Sequence, residues 1–506
     1  DYDKDGLLDV FIGNHPPDRF LSYEEHFQNW SNPRLETSNQ LYRNTGKSFF
    51  QKTTSKAGLV SYGWTLGMVT VDLNQDNWPD IYVTVDHTEP DRFYINNKNG
   101  TFREASVFGF EHMSQSSMGV DAGDINNDGL TDLITVEMLA EDPYRAKTQM
   151  QNMEVDRFWD FVRKGHNYQY MRNMLHVNNG NETFRELGQM AKIHKTDWSW
   201  ASLFMDMDND GWQDLYISNG YYRDYSDQDY RISYNEKMQE ADLENNQGEL
   251  RRLLVSHSKD AGSTKLKNYA FKNNGNYGFE NISELSGLDF EGFSNGAAYA
   301  DFDKDGDLDL VVNNIDDKAS LYINGTIEKG GNNWLRVGLQ SAPNNTKLNT
   351  KVTVKTKSGI QFKEHTLTRG YQSSSEDALH FGIGKESDIE EIKVVWPDGA
   401  SETVSNVAAN SEITFLYENA KKQPLEEVKE SPLFRDVEGR LGINFEHQEK
   451  YNDDYAVQVL LPHQMSCFGP ALAKGDVNGD GLEDVFLGGA QEQVGALFIQ
   501  EASGGF

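Results

Sequence analysis

The chain has 506 residues, 80 of them acidic and 47 basic, for a formal net charge of −33 at pH 7. Such a balance argues against nucleic acid and anionic membrane surfaces as partners, since both would repel it. A single cysteine, Cys467, excludes disulfides within the chain, and no segment approaches the roughly 18 apolar residues of a membrane-spanning helix.

The first nine residues set a pattern. Asp1, Asp3, Asp5 and Asp9 occupy positions one, three, five and nine, Gly6 stands at six, and Val10-Phe11-Ile12 follows. A cation of calcium's size takes six to eight oxygens, which a tight turn supplies from alternate side chains and a backbone carbonyl. Glycine at six permits the positive φ that the turn needs. The β-branched and aromatic run behind it predicts a strand, not the helix of an EF-hand. Further on, Leu41-Tyr42-Arg43-Asn44-Thr45-Gly46 reads as a strand entering a hairpin turn. Small residues then alternate in Gly67-Met68-Val69-Thr70-Val71, as suits an inner strand beside a crowded axis. They lead to a second loop, Asp72, Asn74, Asp76 and Asp80, in which Asn77 replaces the glycine; asparagine tolerates the left-handed region best among the alternatives.

The succession continues with Phe93-Tyr94-Ile95-Asn96-Asn97, the small-residue run from Gly119, and a third loop of Asp124, Asn126, Asp128 and Asp132. Residues 141–174 interrupt it. There Met150, Met153, Val155, Phe158, Trp159, Phe161 and Val162 fall at roughly helical spacing and predict an amphipathic helix. The fourth loop, Asp206, Asp208, Asp210 and Asp214, is followed by a second insertion over 221–268. It opens on Tyr221, Tyr222, Arg223 and Tyr225, and its charged run from Glu236 to Leu254 also predicts helix. Both insertions fall between equivalent strands and should project from one face. Loops on a rigid scaffold carry function disproportionately, which makes Trp159, Tyr221, Tyr222, Arg223 and Tyr225 candidates for recognising a sugar or a protein. A fifth loop has Asp301, Asp303, Asp305 and Asp309.

Residues 331–418 hold no such loop. Alternation in Lys351–Lys357, Leu379–Gly384 and Ile392–Gly399, with Arg369-Gly370-Tyr371-Gln372-Ser373 between, predicts a small antiparallel β-sandwich or barrel. A linker over 419–430 leads to residues 431–506, where Asp476, Asn478, Asp480 and Asp484 form a sixth loop.

A unit of strand, metal turn, strand, hairpin and strand, repeated with insertions, is the signature of a propeller blade. Together the loops and Asn-x-Gly phrases resemble the FG-GAP/VCBS family of calcium-binding β-propellers, an architecture shared with integrin α-subunit heads. The phrases of 331–418 are similar to the ASPIC/UnbV module of bacterial surface proteins and the cartilage acidic protein family. The resemblance implies an all-β chain: a β-propeller with helical insertions over 1–330, a β-sandwich or barrel module over 331–418, and the start of a second propeller over 431–506. Calcium is the expected cofactor, with a structural role; six ions would bring the net charge to about −21.

The function expected is that of a calcium-stabilised extracellular or cell-surface binding or scaffold protein. Its most concrete version is a bacterial outer-membrane lipoprotein of a nutrient-uptake complex, with a glycan or peptide as cargo and a transporter as partner. The lone cysteine points the same way, since an animal ectodomain of this size usually carries several bridges. Both ends of the chain read as cut, so a targeting sequence and a lipid anchor are expected upstream. No Gly-x-Ser-x-Gly, His-Glu-x-x-His, P-loop or dinucleotide motif occurs, and no enzyme is expected. Two alternatives stay open: a calcium-dependent polysaccharide lyase or hydrolase, and an integrin-like adhesion protein.

Overall fold

In a computed structural model of the chain, the described residues are 1–17, 23–87, 89–149, 155–240, 252, 255–256, 259–342, 346–422, 441–450, 452–461, 464–466 and 468–506. Met150, Met153, Cys467 and most of the helix expected over 236–254 lie outside them. The chain divides into two compact units, Asp1–Pro424 and Leu425–Phe506.

Five antiparallel sheets follow one another in the first unit. The first has three strands, Val10–Ile12, Gln40–Asn44 and Phe50–Lys52. The second has four, Trp64–Val71, Asp80–Asp86, Arg92–Asn96 and Phe102–Glu104. The third is Val120–Gly123, Asp132–Thr135, Met174–Asn178 and Phe184–Glu186, and the fourth Ser199–Met205, Asp214–Asn219, Tyr269–Asn273 and Phe279–Asn281. Ser294–Ala300, Asp309–Asn314 and Ser320–Tyr322 make the fifth. Every sheet is a meander. From the second sheet on, an aspartate loop joins the first strand to the second. The asparagine turns begin at the same end, after the third strand, and the two insertions emerge at the opposite end, after the second.

Alternation of side chains across the pleat explains the stacking. In the strand Asp80–Asp86, Ile81, Val83 and Val85 pack with Tyr2 of the first loop and Leu41 of the first sheet. Tyr82 packs the other way, with Ala122, Leu133 and Phe184 of the third. Ile134 and Val177 meet Phe204 and Ile217 of the fourth sheet, whose Leu203 and Tyr216 meet Ala297 and Leu310 of the fifth. Each middle sheet is thus apolar on both faces, which is why its second strand reads as an unbroken apolar run.

The insertions differ from expectation. Instead of one helix over 141–174, the described residues there hold two, Pro143–Thr148 and Val155–Arg163. Asp142 caps the first by accepting from Arg145 N, with Pro143 at its start; the chain leaves the second through Gly165 at φ 96°. In the second insertion the described helix is Gln228–Glu240, beginning before the charged run. A further helix, Tyr23–Ser31, was not anticipated.

Residues 333–422 build two facing sheets over a core of Leu335, Val337, Val352, Val354, Phe381, Ile392, Val394 and Trp396. One pair breaks the expected antiparallel pattern: Asn333–Gln340 runs parallel to Ser411–Leu416. The second sheet intervenes between these strands in sequence, so the return is a crossover and not a hairpin. A two-strand hairpin, Thr368–Arg369 with Ser373–Ser374, projects from this sandwich.

In the second unit, Leu472–Gly475, Asp484–Leu487 and Ala496–Phe498 form one antiparallel sheet, with the sixth loop between its first two strands. The architecture as a whole is mostly β, in many small sheets, with no closed barrel among the described residues.

Candidate metal centres

The six loops share one hydrogen-bonding scheme. A carboxylate oxygen at position one accepts the N–H of position six: Asp1 from Gly6 at 3.0 Å, Asp72 from Asn77 at 2.6 Å, Asp124 from Gly129 at 2.9 Å, Asp206 from Gly211 at 2.8 Å, Asp301 from Gly306 at 3.2 Å and Asp476 from Gly481 at 2.9 Å. Asn77 sits at φ 69°, so the copy without glycine makes the same turn. At position nine, Asp9, Asp80, Asp132, Asp214, Asp309 and Asp484 each use one oxygen for the N–H of position two. The other oxygen accepts the N–H of Asn44, Asn96, Asn178, Asn273, Asn324 or Gln500 at 2.7–2.9 Å.

Four of those asparagines then staple one sheet to the loop before it. The Asn96 amide donates to Pro79 O of its own loop and to Tyr2 O of the preceding one. Asn178 does so with Thr131 O and Leu73 O, Asn273 with Gln213 O and Ile125 O, and Asn324 with Leu308 O and Met207 O. Position four adds a second link. Lys4, Gln75, Asn127, Asn209 and Lys304 all adopt φ between 56° and 64°, and the amides of Gln75, Asn127 and Asn209 donate to Gly129 O, Gly211 O and Gly306 O of the next loop. The Lys4 ammonium lies 4.7 Å from the ring centre of Trp78 in the second loop.

What these clasps leave over is a set of converging carboxylate oxygens. In three loops they come within 4.8 Å of one another: Asp1, Asp3 and Asp5; Asp206, Asp208 and Asp210; and Asp301, Asp303 and Asp309, with Asp303, Asp305 and Glu328 beside the last. Asp1 Oδ1, Asp3 Oδ1, Asp208 Oδ1, Asp301 Oδ1 and Asp305 Oδ2 are buried with no hydrogen-bond partner. In the second, third and sixth loops an amide stands at position three, and Asn74, Asn126 and Asn478 each donate to the acid at position five, Asp76, Asp128 and Asp480. Cationic side chains answer part of this charge. Arg43 pairs with Asp3 and Asp5, Lys272 with Asp208 and Asp210, Lys351 with Asp72, and Lys98 with Asp76.

Burial pushes the carboxyls of Asp80, Asp132 and Asp214 well above the usual range and that of Asp124 to about 6. Asp206 is raised to about 7 by burial and by the like charge of Asp210. A divalent cation among them would reverse that preference. The donors are all hard oxygens, the set that suits calcium, magnesium or manganese and not the metals that prefer nitrogen or sulfur ligands. Positions one, three and five would supply the side-chain ligands in the first and fourth loops, and position nine joins positions one and three in the fifth.

At the insertion end, Tyr221 stacks on Trp198 with ring centres 4.0 Å apart, and the Tyr225 ring meets Tyr221 edge-on. The Arg223 guanidinium lies over Tyr222 at 5.1 Å and donates to Ala261 O. The four residues thus form two side-chain pairs, Tyr221 with Tyr225 and Tyr222 with Arg223, linked through the backbone where Tyr225 N donates to Arg223 O. Trp159 is not placed with them: its ring neighbours are Phe158 and Tyr168. A helix period shows which residues share a helix face but not which neighbour that face meets. The insertions touch elsewhere, where Arg145 pairs with Asp197 and Asp224, and Gln149 donates to Asp227. His380 is buried in the strand Leu379–Gly384 with Nε2 2.6 Å from Asn209 Oδ1.

Comparison with known proteins matches two stretches of the first unit. The profile described as FG-GAP-like repeat matches residues 1–83 and 72–135, and the one described as ASPIC and UnbV matches residues 340–422. The chain carries FG-GAP-like repeats and an ASPIC/UnbV domain. Among curated proteins, the FG-GAP and ASPIC/UnbV chain is similar to cartilage acidic protein 1 of Homo sapiens, 23% identical over 368 residues, 72% of this chain and 46% of that protein. The Mus musculus protein matches at 23% over 72% of this chain and 47% of its own length, and the Xenopus tropicalis protein at 24% over 76% and 49%. The chain therefore spans about half the length of the curated relatives it matches. Among solved structures, the V. cholerae biofilm matrix protein Bap1 aligns with 78% of this chain and 58% of its own, at 11% identity and a TM-score of 0.20, too low to bear on the fold. No helix among the described residues is long and apolar enough to cross a membrane.

The asparagine staple and the left-handed position four were missed in the sequence. Both had a signal: asparagine recurs at one place in the hairpin phrase, and position four is always Lys, Gln, Asn or Gly.

Proposed function

We propose that this chain is the metal-stapled core of an extracellular binding or scaffold protein, in which the FG-GAP sheets are blades of a β-propeller and calcium ions in the aspartate loops are structural. The observation that carries this reading is the convergence of buried, unpartnered carboxylate oxygens in the loops at Asp1, Asp206 and Asp301. Bound calcium would replace repulsion among those carboxylates with coordination and so hold one end of every sheet. With that end fixed, the insertions stand on a rigid base. The turn that carries Tyr221, Tyr222, Arg223 and Tyr225 is the surface we assign to a glycan or protein partner. The chain acts by binding and not by catalysis; an outer-membrane lipoprotein serving nutrient uptake is the narrowest form of the proposal.

The test is calorimetric calcium titration of chelator-stripped protein, with the unfolding temperature followed in parallel. Several equivalents bound with a rise in stability supports the reading; no binding sinks it. A second reading, adhesion through a metal-bridged carboxylate on the partner, is favoured at two loops. Asp303 is exposed while Asp301 and Asp309 of its cluster are more enclosed, and Asp5 is exposed while Asp1 and Asp3 are less so, so an ion held in either has a solvent-facing side. Loss of adhesion in chelator without loss of fold would select it.

A further inference from the structure

The hairpin of the ASPIC/UnbV domain lies against the first strands of the second, third, fourth and fifth sheets. The body of the domain lies at the loop end. Both Glu364 carboxylate oxygens accept from Asp72 N at 3.2 and 3.0 Å, the Asn349 amide donates to Thr70 O at 2.9 Å, and Asn332 donates to Asp208 O at 2.9 Å. The hairpin tip is at the other end. Val120 N donates to Gly370 O at 3.2 Å, and the Tyr371 ring centre is 4.8 Å from that of Trp200. Val120 and Trp200 stand at the insertion-end start of their strands, so residues 364–371 traverse the sheets along the edges of the first strands.

Everything along that path is shaped for a backbone. An added Cβ at Gly119 would lie 3.1 Å from Gly370 O, one at Gly296 would lie 2.8 Å from Ser373 Oγ, and one at Gly370 would lie 3.2 Å from Ala201 Cβ. Glu376 N donates to Tyr299 O of the fifth sheet. Midway, the Arg369 guanidinium donates to Asp121 Oδ1 at 2.9 Å, to Oδ2 at 3.0 Å and to Ala122 O at 3.3 Å. Asp121 is wholly buried, and its Oδ2 also accepts Phe204 N of the fourth sheet at 2.7 Å. A buried ion pair satisfied on both sides holds position more than it adds stability, and removing one member leaves an uncompensated charge.

We propose, resting on the propeller reading above, that the ASPIC/UnbV domain is an axial latch acting in cis: its hairpin occupies the interaction surface formed by the first strands of the sheets, locks it with Arg369 on Asp121, and closes the axis to outside ligands. The partner this surface fits is an extended hairpin with a small tip and one arginine. Withdrawal of the hairpin, with the sandwich still folded, is the easiest opening of the unit. Binding by the closed form is then confined to the insertion end and the rim.

Hydrogen exchange followed by mass spectrometry on the whole chain, at fixed calcium, tests this. The variants are Arg369→Ala, Asp121→Ala, the double exchange Arg369→Asp with Asp121→Arg, and the milder Arg369→Lys. Amides of 64–71, 120–123, 199–205, 294–300 and 366–376 should exchange about tenfold faster or more in the single alanine variants. The sandwich strands 351–355, 379–384 and 388–395 should keep their protection, the double exchange should recover part of what is lost, and Arg369→Lys should fall between. The proposal is overturned if inner-strand exchange stays at the wild-type rate in every variant. It is equally overturned if Arg369→Lys, the variant most certain to fold, loses protection evenly over inner strands and sandwich.

Discussion

Asn178 shows how much one side chain does in this protein. It is buried, its N–H is held by Asp132, its amide bridges Thr131 O and Leu73 O, and its Oδ1 accepts Gly180 N. Asn178→Ala would leave two buried carbonyls without a donor, each costing about 1–3 kcal/mol. We expect a loss of about 3 kcal/mol in urea unfolding, and a substitution of Asn97, which follows the equivalent Asn96 and is exposed, should cost far less. Glu137 is a different kind of residue. It is buried at the insertion end, accepts from Ser116 N and Met138 N, and its carboxyl is pushed to about 8 by burial, with Asp86 and Asp91 adding like charge. A raised carboxyl means that the folded state holds its proton longer than the unfolded one. The group costs nothing below the ordinary carboxylate range near pH 4.5, costs progressively more as pH rises towards 8, and costs a constant amount above. Glu137→Gln should therefore flatten the fall in unfolding temperature between pH 5 and 8; an unchanged slope would show that Glu137 is not its source.

At the scale of elements, the first strand of each sheet is constrained from two sides. Its apolar residues face neighbouring sheets, while Gly67, Gly119, Ala201 and Gly296 are crowded against backbone or hairpin. A Cβ on Gly119 would also meet Trp200 O at 2.0 Å. Gly119→Val should cost at least the 1–3 kcal/mol typical of overpacking, and Gly100→Val about as much through its left-handed backbone alone, since nothing lies within 4 Å of that site. The two are distinguished by exchange at 366–376, which only Gly119→Val should raise. Alternation of small residues was legible in sequence as a crowded inner strand. What crowds Gly119 was not, because the hairpin's Gly370 lies some 250 positions further along the chain, and no local pattern encodes so distant a partner.

For the whole first unit, the loops, staples and latch make neighbouring sheets depend on one another. Ordering one loop fixes its position-nine carboxylate, which fixes an asparagine, which holds position two of the loop before. Calcium should consequently bind with positive cooperativity and raise the unfolding temperature in steps. An ion at a hundred times its Kd contributes about 2.7 kcal/mol. Asp303→Ala should remove one equivalent and part of that rise, whereas independent sites of unchanged stoichiometry would contradict the linkage. A net charge of −33 adds to the same expectation, since self-repulsion in the stripped protein is relieved by each ion and by salt.

By itself the sequence determined the aspartate turns, the strands behind them, the sheet-by-sheet repetition, the β-rich sandwich and the two places where the repeat is interrupted. All of these follow from residue type and short spacing: glycine or asparagine where φ is positive, apolar runs where both faces are covered, alternation where one face is. Tertiary structure alone decided which loop clasps which, that Trp159 stands apart from Tyr221, that one sandwich pair is parallel, and that Arg369 meets Asp121. Those are contacts between segments far apart in the chain, set by how sheets stack and how the hairpin threads them, and the periodicity of a single segment carries no record of its neighbour.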